Sequence, residues 1–181
     1  TVTGSAGVVL TSQKCEYNLV SGRKRVVVKG ITTGKIMDYG IKDSMNMGAA
    51  MAPAAAATLC AYFDDTKDDP QAFDRIITGD LGMVGSELLL ALLDKEGIDA
   101  RRVHDDCGKR IFDRQRQDVH SGGSGCGCLS TVLGGYLVKR MRAGELKRIL
   151  AVGTGALLNA STPLQKLSIP GIAHAVCLEA V

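Results

Sequence analysis

The chain has 181 residues, enough for one ordinary domain or for one half of a duplicated architecture. Its apolar fraction of 45% supplies a core, but with three Phe, four Tyr and no Trp that core must be built from Ala, Val, Ile and Leu in close layers. Twenty-two Lys and Arg against 19 Asp and Glu leave a net charge of only +3, and no basic block is interleaved with aromatics, which argues against nucleic-acid binding. No run of about 18 apolar residues occurs, so no helical span of a bilayer is expected. Six cysteines without a signal peptide point to a reducing compartment rather than a disulfide framework. Thr1 is not a start methionine and leads straight into strand-like sequence, so the chain reads as a fragment or a processed product.

In chain order, Val2 to Leu10 reads as a strand, and Arg25 to Met37 as one or two more. Between them Tyr17 to Lys24 is polar, with Ser21-Gly22 as a turn. Met45 to Phe63 follows as a helix with Pro53 near its start. Ala54 to Ala57 make it small on every face, which predicts a central helix buried between layers. Asp69-Pro70 caps a short turn. Asp74 to Asp80 reads as a buried strand ending in a polar loop, and Ser86 to Glu96 as a leucine-rich helix stopped by Gly97. Residues 98 to 118 are charged and mixed, which predicts a lid, a partner surface or a solvated excursion. Leu129, Val132, Leu133, Tyr136, Leu137 and Met141 have helical spacing. Arg148 to Leu158 and Gly171 to Val181 are the last strands. Strands alternating with helices predict an α/β fold: a mixed, mostly parallel five-stranded sheet with helices on both faces.

The most informative stretch is Asp118-Val119-His120-Ser121-Gly122-Gly123-Ser124-Gly125-Cys126-Gly127-Cys128, with four glycines in eleven residues just before the helix. Such a turn leaves N–H groups pointing at one spot, which favours an anion or a polarised carbonyl. His120, Ser121, Ser124 and Cys126 would complete the pocket; otherwise the glycines serve sterics alone. In sheets of this kind sites form at the carboxyl ends of strands, where Thr78-Gly79-Asp80 and Gly153-Thr154-Gly155 are expected. Asp80 would bind a ligand or a cation there, or cap a turn. Lys139, Arg140, Arg142, Lys147 and Arg148 complement a helix dipole or meet an acidic partner or membrane surface. Cys126 with His120 is a possible nucleophile and base. Cys126, Cys128, Cys107 and His104 or His120 do not have zinc-site spacing. His174 reads as a packed, hydrogen-bonded histidine, and Cys15, Cys60 and Cys177 as filler.

Several long motifs carry a resemblance. They are Met37-Asp38-Tyr39-Gly40-Ile41-Lys42-Asp43, Asn46-Met47-Gly48-Ala49-Ala50-Met51-Ala52-Pro53-Ala54-Ala55-Ala56 and Thr78-Gly79-Asp80-Leu81-Gly82. Gln117-Asp118-Val119-His120-Ser121-Gly122-Gly123-Ser124-Gly125-Cys126 and Ile169-Pro170-Gly171-Ile172-Ala173-His174 complete the set. Together, almost end to end, they resemble the C-terminal half of the stage V sporulation protein AD family. The resemblance implies a thiolase-like fold of two similar halves, with residues 1–181 as the C-terminal one and the N-terminal half absent. It implies binding of pyridine-2,6-dicarboxylate (dipicolinic acid), or its calcium complex, for uptake into the developing spore, without catalysis and without a cofactor.

Asp80, His120, Ser121, Gly122, Gly123, Ser124 and Cys126 are the expected ligand-binding residues. The implied partners are the N-terminal half, other stage V sporulation A membrane proteins and a second copy in a homodimer, with the protein peripheral to the inner membrane of the forespore or spore and tied to germination. The pocket is expected between halves, so this half alone should bind weakly. A planar dianion suits convergent N–H and hydroxyl donors, and Asp80 would offer a hard oxygen to calcium. True thiolases carry a nucleophilic cysteine in the other half and a Cys-x-Gly-Gly-Gly loop, where this chain reads Ala151-Val152-Gly153-Thr154-Gly155. Aspartate at position 80 would also oppose a developing oxyanion. The alternative is a degenerate thiolase- or ketoacyl-synthase-like acyltransferase using Cys126 and His120.

Overall fold

Alternation of apolar side chains along each strand decides the layers of this fold, seen in a computed structural model that describes residues 1–12 and 22–181. The strands are β1 (Val26–Thr33), β2 (Arg75–Thr78), β3 (His104–Asp106), β4 (Arg148–Ala156) and β5 (Gly171–Ala180). They form one mixed sheet in the order β1-β5-β4-β2-β3. β3, β2 and β4 run parallel, while β5 is antiparallel to both β4 and β1. Ile76, Leu150, Val152, Ala173, Ala175 and Cys177 point into one core, and Ile77, Ile149, Ala151 and Leu178 into the other. Both faces of the sheet are therefore apolar and both carry helices, as the sequence predicts.

The first face is covered by α1 (Met47–Thr66), with α2 (Gly82–Lys95) packed against it. Asn46 caps α1 by accepting from the Ala49 amide, and Lys67 ends it in the left-handed conformation. Ala52, Ala54 and Ala55 have no exposed surface, so α1 is the expected central helix, three residues longer at its C-terminus. Thr58 is buried in it and donates to the carbonyls of Ala54 and Ala173, satisfying its hydroxyl against β5. The α1–α2 crossing depends on Gly48, where a Cβ would lie 2.2 Å from the Leu81 carbonyl oxygen.

The second face is covered by α4 (Gly127–Val132), a π-helical turn (Leu133–Leu137) and α5 (Val138–Arg142), which continue one another. Val132, Leu137 and Met141 are the buried stripe of this run. A short α3 (Cys107–Arg110), α6 (Ser161–Leu164) and a 3-10 turn (Pro70–Ala72) capped by Asp69 complete the helices among the described residues.

Two expectations are corrected. Val2 to Leu10 is not a strand, because among the described residues no strand lies beside it. Only Val2 is buried, its amide donating to the Ser124 carbonyl, while Val9 and Leu10 are 86% and 78% exposed. Residues 98 to 118 contain β3 and α3. The leucine-rich helix begins at Gly82, one turn earlier than its apolar pattern indicates, because its first turn is held by polar partners from outside the helix. The Tyr17 to Ser21 part of the predicted turn, and Cys15, lie outside the described residues.

Candidate ligand site at the carboxyl ends of the strands

β2 and β4 are parallel neighbours, so Asp80, just beyond β2, meets Thr154 near the end of β4. The Thr154 hydroxyl donates to Asp80 Oδ1 at 3.0 Å and accepts from the Asp80 amide at 3.2 Å. The other oxygen, Oδ2, accepts from the Gly125 amide at 2.7 Å and the Ser124 hydroxyl at 3.5 Å. One carboxylate thus ties two strands to the glycine-rich turn. Of the residues expected to form a site, the fold brings together Asp80, Ser124 and the turn's backbone, with Thr154 added.

Ser121 is drawn elsewhere. Its hydroxyl accepts from the amides of Met83 at 3.0 Å and Val84 at 3.3 Å, and its carbonyl accepts from Met83 at 2.8 Å. It caps the start of α2. The preceding amides, Leu81 and Gly82, donate to the carboxylate of Asp106 at 2.9 and 3.0 Å. Asp106 is fully buried and also accepts from the Thr78 hydroxyl at 2.7 Å and the Lys109 amide at 3.2 Å. Burial raises its carboxyl above the ordinary range, while these four donors pull it down. His104 lies 3.2 Å from the Thr78 hydroxyl, and burial, helped by the Lys109 ammonium, lowers it to about 4. Sequence reasoning missed Asp106. The available signal is an acid immediately before a short helix, a capping position.

The remaining turn amides are largely consumed within the protein. Gly122 donates to Val119, Gly123 to Gly108 and Cys128 to Gly125, at 2.7 to 3.0 Å. Among the described residues the amides of Cys126 and Gly127 take no part in these bonds. Cys126 is exposed and makes no side-chain cap to α4. His120 is exposed, with a positive φ of 47°, and its Nδ1 lies 3.5 Å from Asp118. No hydrogen bond joins His120 to Cys126 among the described residues.

Cys107 and Cys128 are buried, which raises both thiols, Cys128 to about 12. No group of three metal-ligating side chains forms among the described residues. His174 is hydrogen-bonded, accepting from the Gly34 amide at 3.0 Å, but it is exposed rather than packed, its partners across the sheet being Thr33 and Gly153.

Two open concavities flank the sheet. One, of about 420 Å³, lies at the amino ends of β2 and β3 and is lined by Phe63, Asp68, Asp69, Asp99 and Arg102 among others. The other, of about 510 Å³, follows α3 and is lined by Lys109, Phe112, Asp113, Arg114 and Gln115. Phe112 borders the glycine-rich turn, since a Cβ on Gly123 would lie 3.1 Å from its ring.

The family model for stage V sporulation protein AD (SpoVAD) matches residues 1–179. Stage V sporulation protein AD of Bacillus subtilis (strain 168) is 41% identical over 179 residues, which cover 99% of this chain and 50% of the relative. The chain therefore spans about half the length of the curated relative it matches. The motifs around Asp80 and the glycine-rich turn fall inside the matched region, and the chain belongs to the stage V sporulation protein AD family.

Proposed function

We propose that this chain takes part in spore formation by binding dipicolinic acid, free or as its calcium complex, without transforming it. The observation that carries the reading is the hydrogen-bonded cluster of Asp80, Thr154, Ser124 and Gly125 at the strand ends. It is a preorganised polar patch where an acyl-transfer site would need oxyanion donors, and its centre is a carboxylate, which opposes an oxyanion. Two oxygens of Asp80, already fixed by neighbours, suit a hard cation arriving with its ligand. The exposed His120 and Cys126 lack the mutual hydrogen bond that would activate a nucleophile, which favours binding over the acyltransferase alternative.

The remaining parts of the reading follow the family. The ligand lies between this chain and a second, similar half, in a thiolase-like homodimer that meets other stage V sporulation A proteins at the inner spore membrane. The membrane contact proposed here is peripheral; among the described residues no helix is long and apolar enough to cross a membrane. Titration calorimetry of the full-length protein with dipicolinate, with and without calcium, tests the reading. Saturable heat supports it, and no heat at millimolar ligand contradicts it. An acyl adduct on Cys126 after incubation with an acyl-coenzyme A would favour the alternative.

A further inference from the structure

We propose that the corner of the sheet where β1 and β4 begin and α5 ends is an electrostatic contact for a membrane surface rich in anionic lipid. Three separate segments meet there. The Lys24 amide donates to the Arg142 carbonyl at 2.9 Å, Arg25 and Val181 exchange backbone bonds at 2.8 and 2.9 Å, and the Lys147 carbonyl accepts from Ala180 at 2.7 Å. The fold thereby gathers Arg23, Lys24 and Arg25 before β1, Lys139 and Arg142 in the last turn of α5, and Lys147 before β4. The inference rests on the peripheral membrane contact proposed above and gives it a place on the molecule.

These side chains are exposed, apart from the half-buried Arg142, and none enters an ion pair among the described residues. The acids close by are already engaged. Glu145 is held by Arg140 at 2.7 Å, Glu179 by Lys29 at 3.6 Å and Asp68 by Arg148 at 2.6 Å. Asp74 accepts from the amides of Lys147 and Arg148 at 2.6 and 2.9 Å. Cations at the end of α5 complement its dipole, but that reason does not reach Arg23, Lys24, Arg25 or Lys147, which lie on other segments. Like charges grouped without counter-charges repel one another, and a negative surface relieves that repulsion. These cations outnumber the net charge of +3, so the rest of the chain carries more acid than base and the molecule is polarised towards this corner. The aspartates at the amino ends of β2 and β3 lie three strand spacings or more from β1, roughly 14 Å, beyond a screening length at physiological salt.

The corner favours lipid over an acidic protein. A protein interface has an apolar centre inside a polar rim. The exposed apolar side chains Ile36, Tyr39, Leu157 and Leu167 lie instead at the opposite end, where Met37 bridges to Gly171 and the Leu157 amide donates to Pro170. At the corner the exposed Val181 offers a single aliphatic group, and Tyr136 has both ring and hydroxyl engaged by Arg140.

Sedimentation of the full-length protein with vesicles tests the corner, using phosphatidylcholine alone and with about 30% phosphatidylglycerol to set a negative surface potential. Wild type should partition onto the anionic vesicles, leave the neutral ones bare, and be released as salt rises from about 0.1 M to about 0.5 M. Lys24→Gln with Arg25→Gln, and Lys139→Gln with Arg142→Gln, should each weaken partitioning by about tenfold or more, since each basic side chain near such a surface contributes about fivefold. Lys42→Gln with Lys166→Gln, an equal charge change at the opposite end, should leave it unchanged within error. Both corner variants binding as tightly as wild type overturns the corner and leaves the peripheral contact standing. Equal binding to neutral vesicles, or none to either, overturns the lipid contact itself, and the dicarboxylate reading is judged separately by calorimetry. Anionic vesicles that fail to displace labelled poly-glutamate or duplex DNA assign the corner to another polyanion and overturn the proposal. Circular dichroism checks the fold of each variant; should one corner variant fail to fold the other decides, and should both fail the salt and lipid dependence of wild type decide.

Discussion

Asp106 gives the sharpest test of how the site is held. Its carboxylate has no exposed surface and accepts from Thr78, Leu81, Gly82 and Lys109. Three of these donors are backbone amides at the starts of α2 and α3, and cannot turn towards water. Asp106→Ala strands them, at about 1 to 3 kcal/mol for each buried donor left without an acceptor. Some will be rescued by water or relaxation, so the expected loss is about 4 kcal/mol. Asp106→Asn keeps one carbonyl oxygen, and the Thr78 hydroxyl can rotate to accept from the new NH₂, leaving chiefly the Leu81 amide opposed. Its loss should be about half as large. Urea unfolding followed by circular dichroism gives both values from the shift in midpoint at constant slope. An alanine variant within about 1 kcal/mol of wild type would refute the reasoning, because the donors would then have satisfactory alternatives.

Further outcomes follow from the same contacts. His104 is lowered to about 4 from 6.5, so the folded state disfavours its charged form. Its contribution is complete above about pH 6.5 and is lost as pH falls towards 4, a swing of about 3 kcal/mol. Unfolding of wild type and His104→Gln across that range should show the difference between them closing on acidification, and a constant difference would contradict it. Gly48→Ala should cost about 2 kcal/mol or more in thermal or urea unfolding, because its Cβ meets the Leu81 backbone at 2.2 Å. In the native protein iodoacetamide should label Cys126 well before Cys107 or Cys128, whose burial raises their thiols, as tandem mass spectrometry will show.

The legible parts of the fold were those where burial leaves an unambiguous pattern. Ile76-Ile77 and Leu150 to Val152 read as strands because both faces of the sheet are covered, and the alanines of α1 read as a sandwiched helix because no face of it meets water. β3 was invisible because its three residues, His104-Asp105-Asp106, are polar, and the last is buried for the sake of two helix starts rather than for a core. Val2 to Leu10 shows the converse. A strand-like pattern makes no strand without a neighbour to pair with.

The glycine-rich turn and Asp80 were both legible as parts of one site. Which helix the turn would serve was not, since Ser121 reaches α2 from 38 residues away in sequence. Nor could the sequence reveal that the carboxylate of Asp80 takes the Gly125 amide, which is then closed to an incoming anion. That choice depends on β2 and β4 lying side by side, a long-range pairing no local signal encodes.

A crystal structure of the full-length protein with dipicolinate tests the central claim most directly. The ligand should lie intact at the carboxyl ends of the parallel strands, within hydrogen-bonding reach of the glycine-rich turn. Density at the aspartate-lined groove of the amino ends, or a covalent adduct on Cys126, would contradict it.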